Sequence, residues 1–220
     1  MSIDVQFTKE VIDRYLNILA KEYRKRNRKS SRVELILVGG ASVLVNYGFR
    51  DMTTDIDAII LADSVMKESI YAVAEKEGLP DGWLNADFKR SDSFSQKLIL
   101  HSDYYRTFSN IMEVRTVRDE YLIAMKLVAG RKYKRDLSDI AGILISCKKE
   151  DKNISFEDID RAMNDLYGGW NKVDPYSRQL LDSLLESDDL EKIYIEVQAE
   201  ENKNKEVRMN ELIKKQSKSK

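Results

Sequence analysis

Apolar positions near the start of the chain recur with helical spacing. Ile12, Tyr15, Leu16, Leu19 and Tyr23 stand among charges and predict an amphipathic helix over residues 5–26. It runs into a basic stretch, RKRNRKSS. The period then changes. VELILVG is a short β-branched and apolar run closed by Gly39 and Gly40, the pattern of a buried strand. ASVLVNYGF follows as a short helix, and TDIDAIIL resumes strand character. Residues 64–77 read as a helix stopped by Gly78, with Pro80 just beyond. After the turn-rich LPDGWLNADFK, the runs QKLILHS and RTFSNIMEVRTV predict two further strands, and DEYLIAMKLVAG a helix ended by Gly130.

From Asp136 onward the pattern is helical, with helices near 136–148, 155–167 and 174–186. Their N-terminal caps are Asp136, Ser155 with Asp158, and Asp174 ahead of Pro175. The last stretch, AEENKNKEVRMNELIKKQSKSK, has sparse apolar residues that would make a protruding helix, and a Lys/Ser end that reads as frayed. The expected organisation is an α/β (α+β) domain over 1–135, a helical segment over 136–198 packed on it, and a flexible tail over 199–220. Its class is a mixed sheet flanked by helices.

Composition removes several kinds of chemistry. Lys plus Arg (37) nearly cancel Asp plus Glu (38), so no global positive field draws in nucleic acid, and only a local basic patch would do so. With one cysteine, Cys147, and one histidine, His101, the chain builds neither an internal disulfide nor a Cys/His zinc cluster. A bound metal must therefore sit on oxygen ligands. The polar opening MSIDVQFTKE and the lack of a long apolar run point to a cytoplasmic protein that does not enter a membrane.

The informative segment is VGGASVLVNYGFRDMTTDIDAII. A glycine pair follows a strand, and 14 residues later Asp55 and Asp57 sit on a second strand. Side chains at i and i+2 of a strand leave the same face about 6–7 Å apart, so both carboxylates can share one ion. Magnesium, or manganese, suits such a pair because it prefers carboxylate, phosphate and water oxygens. Gly39 and Gly40 let the backbone approach phosphates, and the helix behind them turns free N–H groups toward the same anion. Ser42 and Thr54 join them as nucleotide-binding candidates. The competing reading is a tight turn with two solvated aspartates at a strand mouth.

This segment resembles the signature of the nucleotidyltransferase superfamily with the polymerase-β-like fold, a Gly-Gly or Gly-Ser followed by D-x-D. A closer resemblance is to bacterial nucleotidyltransferase-like proteins related to the toxins of type IV toxin-antitoxin systems. It rests on GGASVLVNYGFRDMTTDIDAII, GWLNADFK and EYLIAMKLVAGRKYKRDLSDIAGIL, across about residues 33–145. The resemblance implies a magnesium-dependent transfer of a nucleoside monophosphate from an NTP to an acceptor hydroxyl. It points to an RNA end, tRNA included, as acceptor and to a cognate antitoxin as partner. A protein side chain or a small molecule such as an aminoglycoside stays open as acceptor. So do two rival readings: an inactive descendant acting as a binding or antitoxin-like protein, and a plain helical interaction protein.

Lys126 shares a helical stripe with Leu122, Ile123 and Ala129, where an ammonium calls for an anion. The resemblance assigns it to the nucleotide phosphates; the structural alternative is a lysine snorkelling to water. Asp139 is a second acidic candidate that would orient Lys126 or an arginine. Arg131, Lys132, Lys134 and Arg135 form a basic turn that would meet triphosphate or RNA, or simply water. The superfamily also implies a third metal carboxylate. Asp87 is the preferred candidate, with Asn85 and Lys89 on the same side of an extended segment. Glu113 is the second, if its strand lies next to the aspartate strand. Trp83 reads as a base-stacking or a core residue, His101 as surface polar, and Cys147 as a small hydrophobe.

Overall fold

A computed structural model describes residues 6–27 and 32–218. Residues 1–5, on which the expected start of the first helix falls, residues 28–31, the second half of the basic stretch, and the last two residues of the tail, Ser219 and Lys220, lie outside the described residues. The chain divides into two compact units, Met1–Arg118 and Asp119–Lys220.

In the first unit, α1 (Lys9–Arg26) is capped by Thr8, whose side chain accepts from the Val11 N–H, and its last turn carries Arg24, Lys25 and Arg26 against the helix dipole. β1 (Val33–Leu37), α2 (Gly39–Asn46), β2 (Ile56–Leu61), α3 (Ser64–Glu77), β3 (Leu84–Asn85), β4 (Ser102–Phe108) and β5 (Met112–Val117) follow. The sheet is mixed, in the order β3-β2-β1-β5-β4. β1 runs antiparallel to β2 and parallel to β5, β3 is parallel to β2, and β4 closes an antiparallel hairpin on β5.

Register decides which face is core, because residues opposite one another across a ladder project to the same side. Leu35, Ile60 and Val114 align, as do Leu37, Ala58 and Thr116. Most of that face joins Ile12, Leu16, Leu19 and Tyr23 of α1 and Met66, Ile70 and Val73 of α3 in one apolar cluster. Burying each such side chain contributes about 1.5–3 kcal/mol. Trp83 is fully buried there, donates its indole N–H to the Ile70 carbonyl at 3.3 Å and meets Tyr15 edge-on, so it is a core residue.

The strand boundaries differ from those expected in one place. QKLILHS forms a 3-10 turn (Gln96–Ile99), and β4 begins at Ser102 and takes in the RTF run expected to open the next strand.

The second unit is helical: α4 (Asp119–Ala129), α5 (Asp136–Lys149), α6 (Phe156–Tyr167), α7 (Pro175–Glu186) and α8 (Leu190–Lys218). α4 packs on α5 and α6, and α5 also meets α7 and α8, so α4 belongs with the helices that follow it. Ser155 and Asp158 form a full capping box, and the Asp174 carboxylate accepts the Tyr176 and Ser177 N–H groups behind Pro175. At α5 the cap is not Asp136, which lies in the first turn, after Arg135. Glu201 of α8 supplies the acceptor instead, taking the Leu137 N–H at 2.9 Å, the Ser138 N–H at 3.4 Å and the Ser138 hydroxyl at 2.5 Å. Burial pushes the Glu201 carboxyl up to about 7 in spite of these donors, and Asp139 adds to the rise. The expected frayed tail is the continuation of α8, a helix of 29 residues. None of the described helices is long and apolar enough to cross a membrane.

Candidate active site

The site is built at the β1–α2–β2 corner. Asp55 immediately precedes β2 and Asp57 is its second residue; both are half-buried. The Val38 N–H donates to the Asp57 carbonyl at 3.0 Å, which prolongs the β1/β2 ladder by one pair and sets Asp57 beside the head of α2. Gly39 opens that helix at φ +55°, and a Cβ added to it would lie 3.9 Å from Asp57 Oδ2. The carboxylate thus faces the glycine.

The loop before the pair is pinned. Thr53 exchanges backbone hydrogen bonds with Phe7, at 2.8 and 3.0 Å. Its hydroxyl donates to the Asp55 carbonyl at 3.2 Å and lies 3.5 Å from Asp55 Oδ1. Thr54, next along, is exposed.

Arg50 is a site residue that sequence reasoning missed. A Cβ at Gly40 would fall 2.9 Å from both Arg50 Nη2 and Thr53 Oγ1, and 3.2 Å from the guanidinium carbon. Arg50 Nε donates to the Met52 carbonyl at 3.0 Å, which orients the group. The only signal in the chain is a basic residue in the loop before D-x-D, which no periodicity marks. Ser42 is fully buried, and its Oγ has no hydrogen-bond partner among the described residues.

The third carboxylate does not assemble. Among the described residues no three Asp, Glu, His or Cys side chains gather as metal ligands. Glu113 was expected on a strand adjacent to β2, but β1 intervenes. Glu113 is in register with Glu34, which stands opposite Leu61 at the far end of β2, and it pairs with Arg115 at 3.3 Å. The β5 residue that follows Thr116 to the level of Asp57 is the buried Val117. Asp87 is exposed and opens a 3-10 turn (Asp87–Arg90), so the expected extended run Asn85–Asp87–Lys89 is absent. Asn85 itself is in register with Asp57 and shares its face. Its side chain accepts from the Asp87 N–H at 2.8 Å and donates to the Gly82 carbonyl at 3.0 Å. Lys89 is exposed.

In the second unit, Lys126 is 3% exposed, and its ammonium lies 2.9 Å from Asp136 Oδ1 and 2.7 Å from Asp139 Oδ2. Arg131 adds a contact of 2.6 Å to Asp136. Burial alone would raise the Asp136 carboxyl; the Lys126 and Arg131 charges outweigh it and hold the group well below the usual carboxylate range. In the basic turn, Arg131 is thus engaged with Asp136, and Lys132 sits 4.1 Å from the centre of the Tyr176 ring. Cys147 is buried and donates to Asp119 at 3.3 Å; burial, with the Asp119 charge, pushes its thiol up to about 12. His101 meets Arg118 through Nδ1 at 2.6 Å.

A five-stranded mixed sheet flanked by helices, with a glycine pair and two aspartates at the β1–α2–β2 corner and helices behind it in the chain, is a nucleotidyltransferase-type fold. The family model described as "Nucleotidyltransferase of unknown function (DUF6036)" matches residues 14–165, and the chain belongs to that family. Neither curated proteins nor solved structures gave a match.

Proposed function

We propose that this protein moves a nucleoside monophosphate from an NTP to an acceptor hydroxyl, with Asp55 and Asp57 holding Mg²⁺ or Mn²⁺ against the triphosphate. The observation that carries this is the Asp57 carboxylate set against Gly39 at the head of α2. Two carboxylates fit magnesium, which commonly takes one or two from the protein and the rest from phosphate and water. Bound there, the ion would neutralise charge on the phosphates and polarise the reacting phosphoryl group.

The chain's own residues do the positioning. Gly39 and Gly40 keep the head of α2 clear of side chains, so phosphate oxygens can reach its first-turn N–H groups. Phe7 and Thr53 hold the loop that carries Asp55. The acceptor oxygen attacks the α-phosphorus in line. The new O–P bond forms as the bond to the β-phosphate oxygen breaks, pyrophosphate leaves with the electron pair, and a carboxylate of the site takes the hydroxyl proton. We assign Lys126 a structural part, because two carboxylates already hold its ammonium. The resemblance to toxins favours an RNA end as acceptor and an antitoxin as partner.

The test is transfer of label from NTPs to total RNA in magnesium. Wild-type protein should transfer label and Asp57→Ala should not; undiminished transfer by the variant refutes the metal site. The lack of a third gathered carboxylate among the described residues favours one second reading, an inactive descendant that binds nucleotide and serves as a partner protein. Magnesium-dependent NTP binding without transfer to any acceptor would select it. The mixed sheet does not favour the plain helical protein.

A further inference from the structure

We propose that the exposed basic row on α1, formed by Lys21, Arg24 and Lys25, binds the phosphate backbone of an RNA strand; that this strand is the acceptor rests on the nucleotidyltransferase reading above.

Helical period sets the row. Lys21, Arg24 and Lys25 stand at i, i+3 and i+4, so they share one face. All three are exposed, while Ile12, Leu16, Leu19 and Tyr23 on the opposite face lie in the core. Among the described residues none of the three has an ion pair, a side-chain hydrogen bond or a ring contact. The acids of the neighbourhood are engaged elsewhere. Asp13 holds Arg106 at 2.7 Å, Glu22 holds Arg26 at 2.6 Å, and Asp63, which meets the Tyr23 hydroxyl, caps α3 through the Val65 N–H.

Neutralising the helix end does not account for this much charge. A helix C-terminus carries about half a negative charge. Against it stand Lys21 and the last-turn cations Arg24, Lys25 and Arg26, of which Glu22 and Asp63 offset two. An excess of about one and a half positive charges stays on one exposed face. The whole chain has a net charge of -1, so this is a local patch and not a share of a general field. The apolar side of α1 is buried, which leaves nothing to insert into a bilayer.

The row also lies at a useful distance from the aspartates. α1 starts at the Thr8 cap, next to Phe7, whose backbone pairs with Thr53 ahead of Asp55. At about 1.5 Å per residue, Lys21 to Lys25 stand about 20–25 Å along the helix from that start. With strand charges about 3.4 Å apart, they would grip a strand roughly six to eight nucleotides back from an end at the aspartates.

The probe is a fluorescein-labelled RNA hairpin with a single-stranded 3′ end, followed by anisotropy through a salt series without NTP or metal. Wild-type protein is compared with Lys21→Gln/Arg24→Gln/Lys25→Gln and with Lys192→Gln/Lys203→Gln/Lys205→Gln, which removes the same charge from exposed positions of α8. Circular dichroism checks each fold. The α1 variant should lose at least about 10-fold in affinity and about 2–3 from the slope of log K against log salt, and the α8 variant should bind as wild type does. In the transfer assay the α1 variant should raise KM for RNA and keep kcat. If it does not fold, Lys21→Gln and Lys25→Gln decide singly: a slope lower by about 1 in each supports the row, and wild-type slopes overturn it. Equal losses in both triple variants, an unchanged α1 variant, or wild-type protein that binds no RNA overturns the row and leaves the proposed function standing. So does row-dependent capture of polyglutamate or of phosphatidylserine vesicles in place of RNA. Row-dependent RNA binding by protein that transfers no label to RNA overturns the strand's part as acceptor and leaves the docking surface.

Discussion

Replacing Lys126 by Met keeps the apolar stem and removes the charge from the interior of the second unit. Lys126 is 3% exposed and its two carboxylate partners, Asp136 and Asp139, 1% each, so neither acid can turn to water without a local opening. Removing one partner of a buried ion pair costs about 3–5 kcal/mol, because the charge left behind is uncompensated. Total stabilities are about 5–15 kcal/mol, so the loss is a large share. Asp136 and Asp139 both lose the ammonium, which lay 2.9 and 2.7 Å from them, and Asp136 also meets Arg131 at 2.6 Å. Adding Asp139→Asn to the methionine variant removes one of the two charges the ammonium faced and should recover about 1–2 kcal/mol. Because the chain holds two units, the readout is hydrogen exchange at the α4 and α5 amides, followed through a urea titration that locates the midpoint for this unit alone. A change under about 1 kcal/mol would refute a buried triad that needs its lysine. Unchanged stability with weakened tripolyphosphate binding would instead put the ammonium on phosphate.

Glu201 makes the second unit sensitive to pH. Its folded value of about 7 stands above the ordinary 4.5, so folding takes up a proton, and stability is lost as pH rises from 4.5 through about 7. The total is about 3 kcal/mol, and Glu201→Gln, which keeps an acceptor for the α5 amides, should flatten the profile; equal slopes in denaturation from pH 5 to pH 8 would refute this. Gly40→Ala forces its new methyl against Thr53, which Phe7 holds in place, and against Arg50, which can swing away. The expected loss is about 1–3 kcal/mol in thermal melts, with weaker tripolyphosphate binding, and wild-type values of both would count against the crowded corner.

Local signals carried the reading of the chain wherever the cause was local. The Ser155 box and the Asp174–Pro175 start each depend on residues a few positions apart, and each stands in the structure where the pattern put it. Sheet order does not work that way. Whether Glu113 neighbours Asp57 is decided by β1 inserting between their strands, and no residue near either acid announces it. β4 is an edge strand whose SDYYRTF run is exposed along most of its length, so it lacks the apolar signal that drew attention to QKLILHS. α8 was legible only as a protruding helix with a frayed end, because its Glu, Lys, Gln, Met and Leu residues are good helix formers but present no long apolar stripe. Arg50 was missed because its importance comes from the bend of a loop, which brings it back onto Gly40.

The bridge between Phe7 and Thr53 ties the loop that carries Asp55 to the segment ahead of α1. Phe7 is fully buried, so this strap is seated as well as hydrogen-bonded. A change at Phe7 therefore reaches the backbone that presents Asp55. For the enzymologist, a substitution in the segment ahead of α1 is an experimental variable of the same standing as the choice of metal.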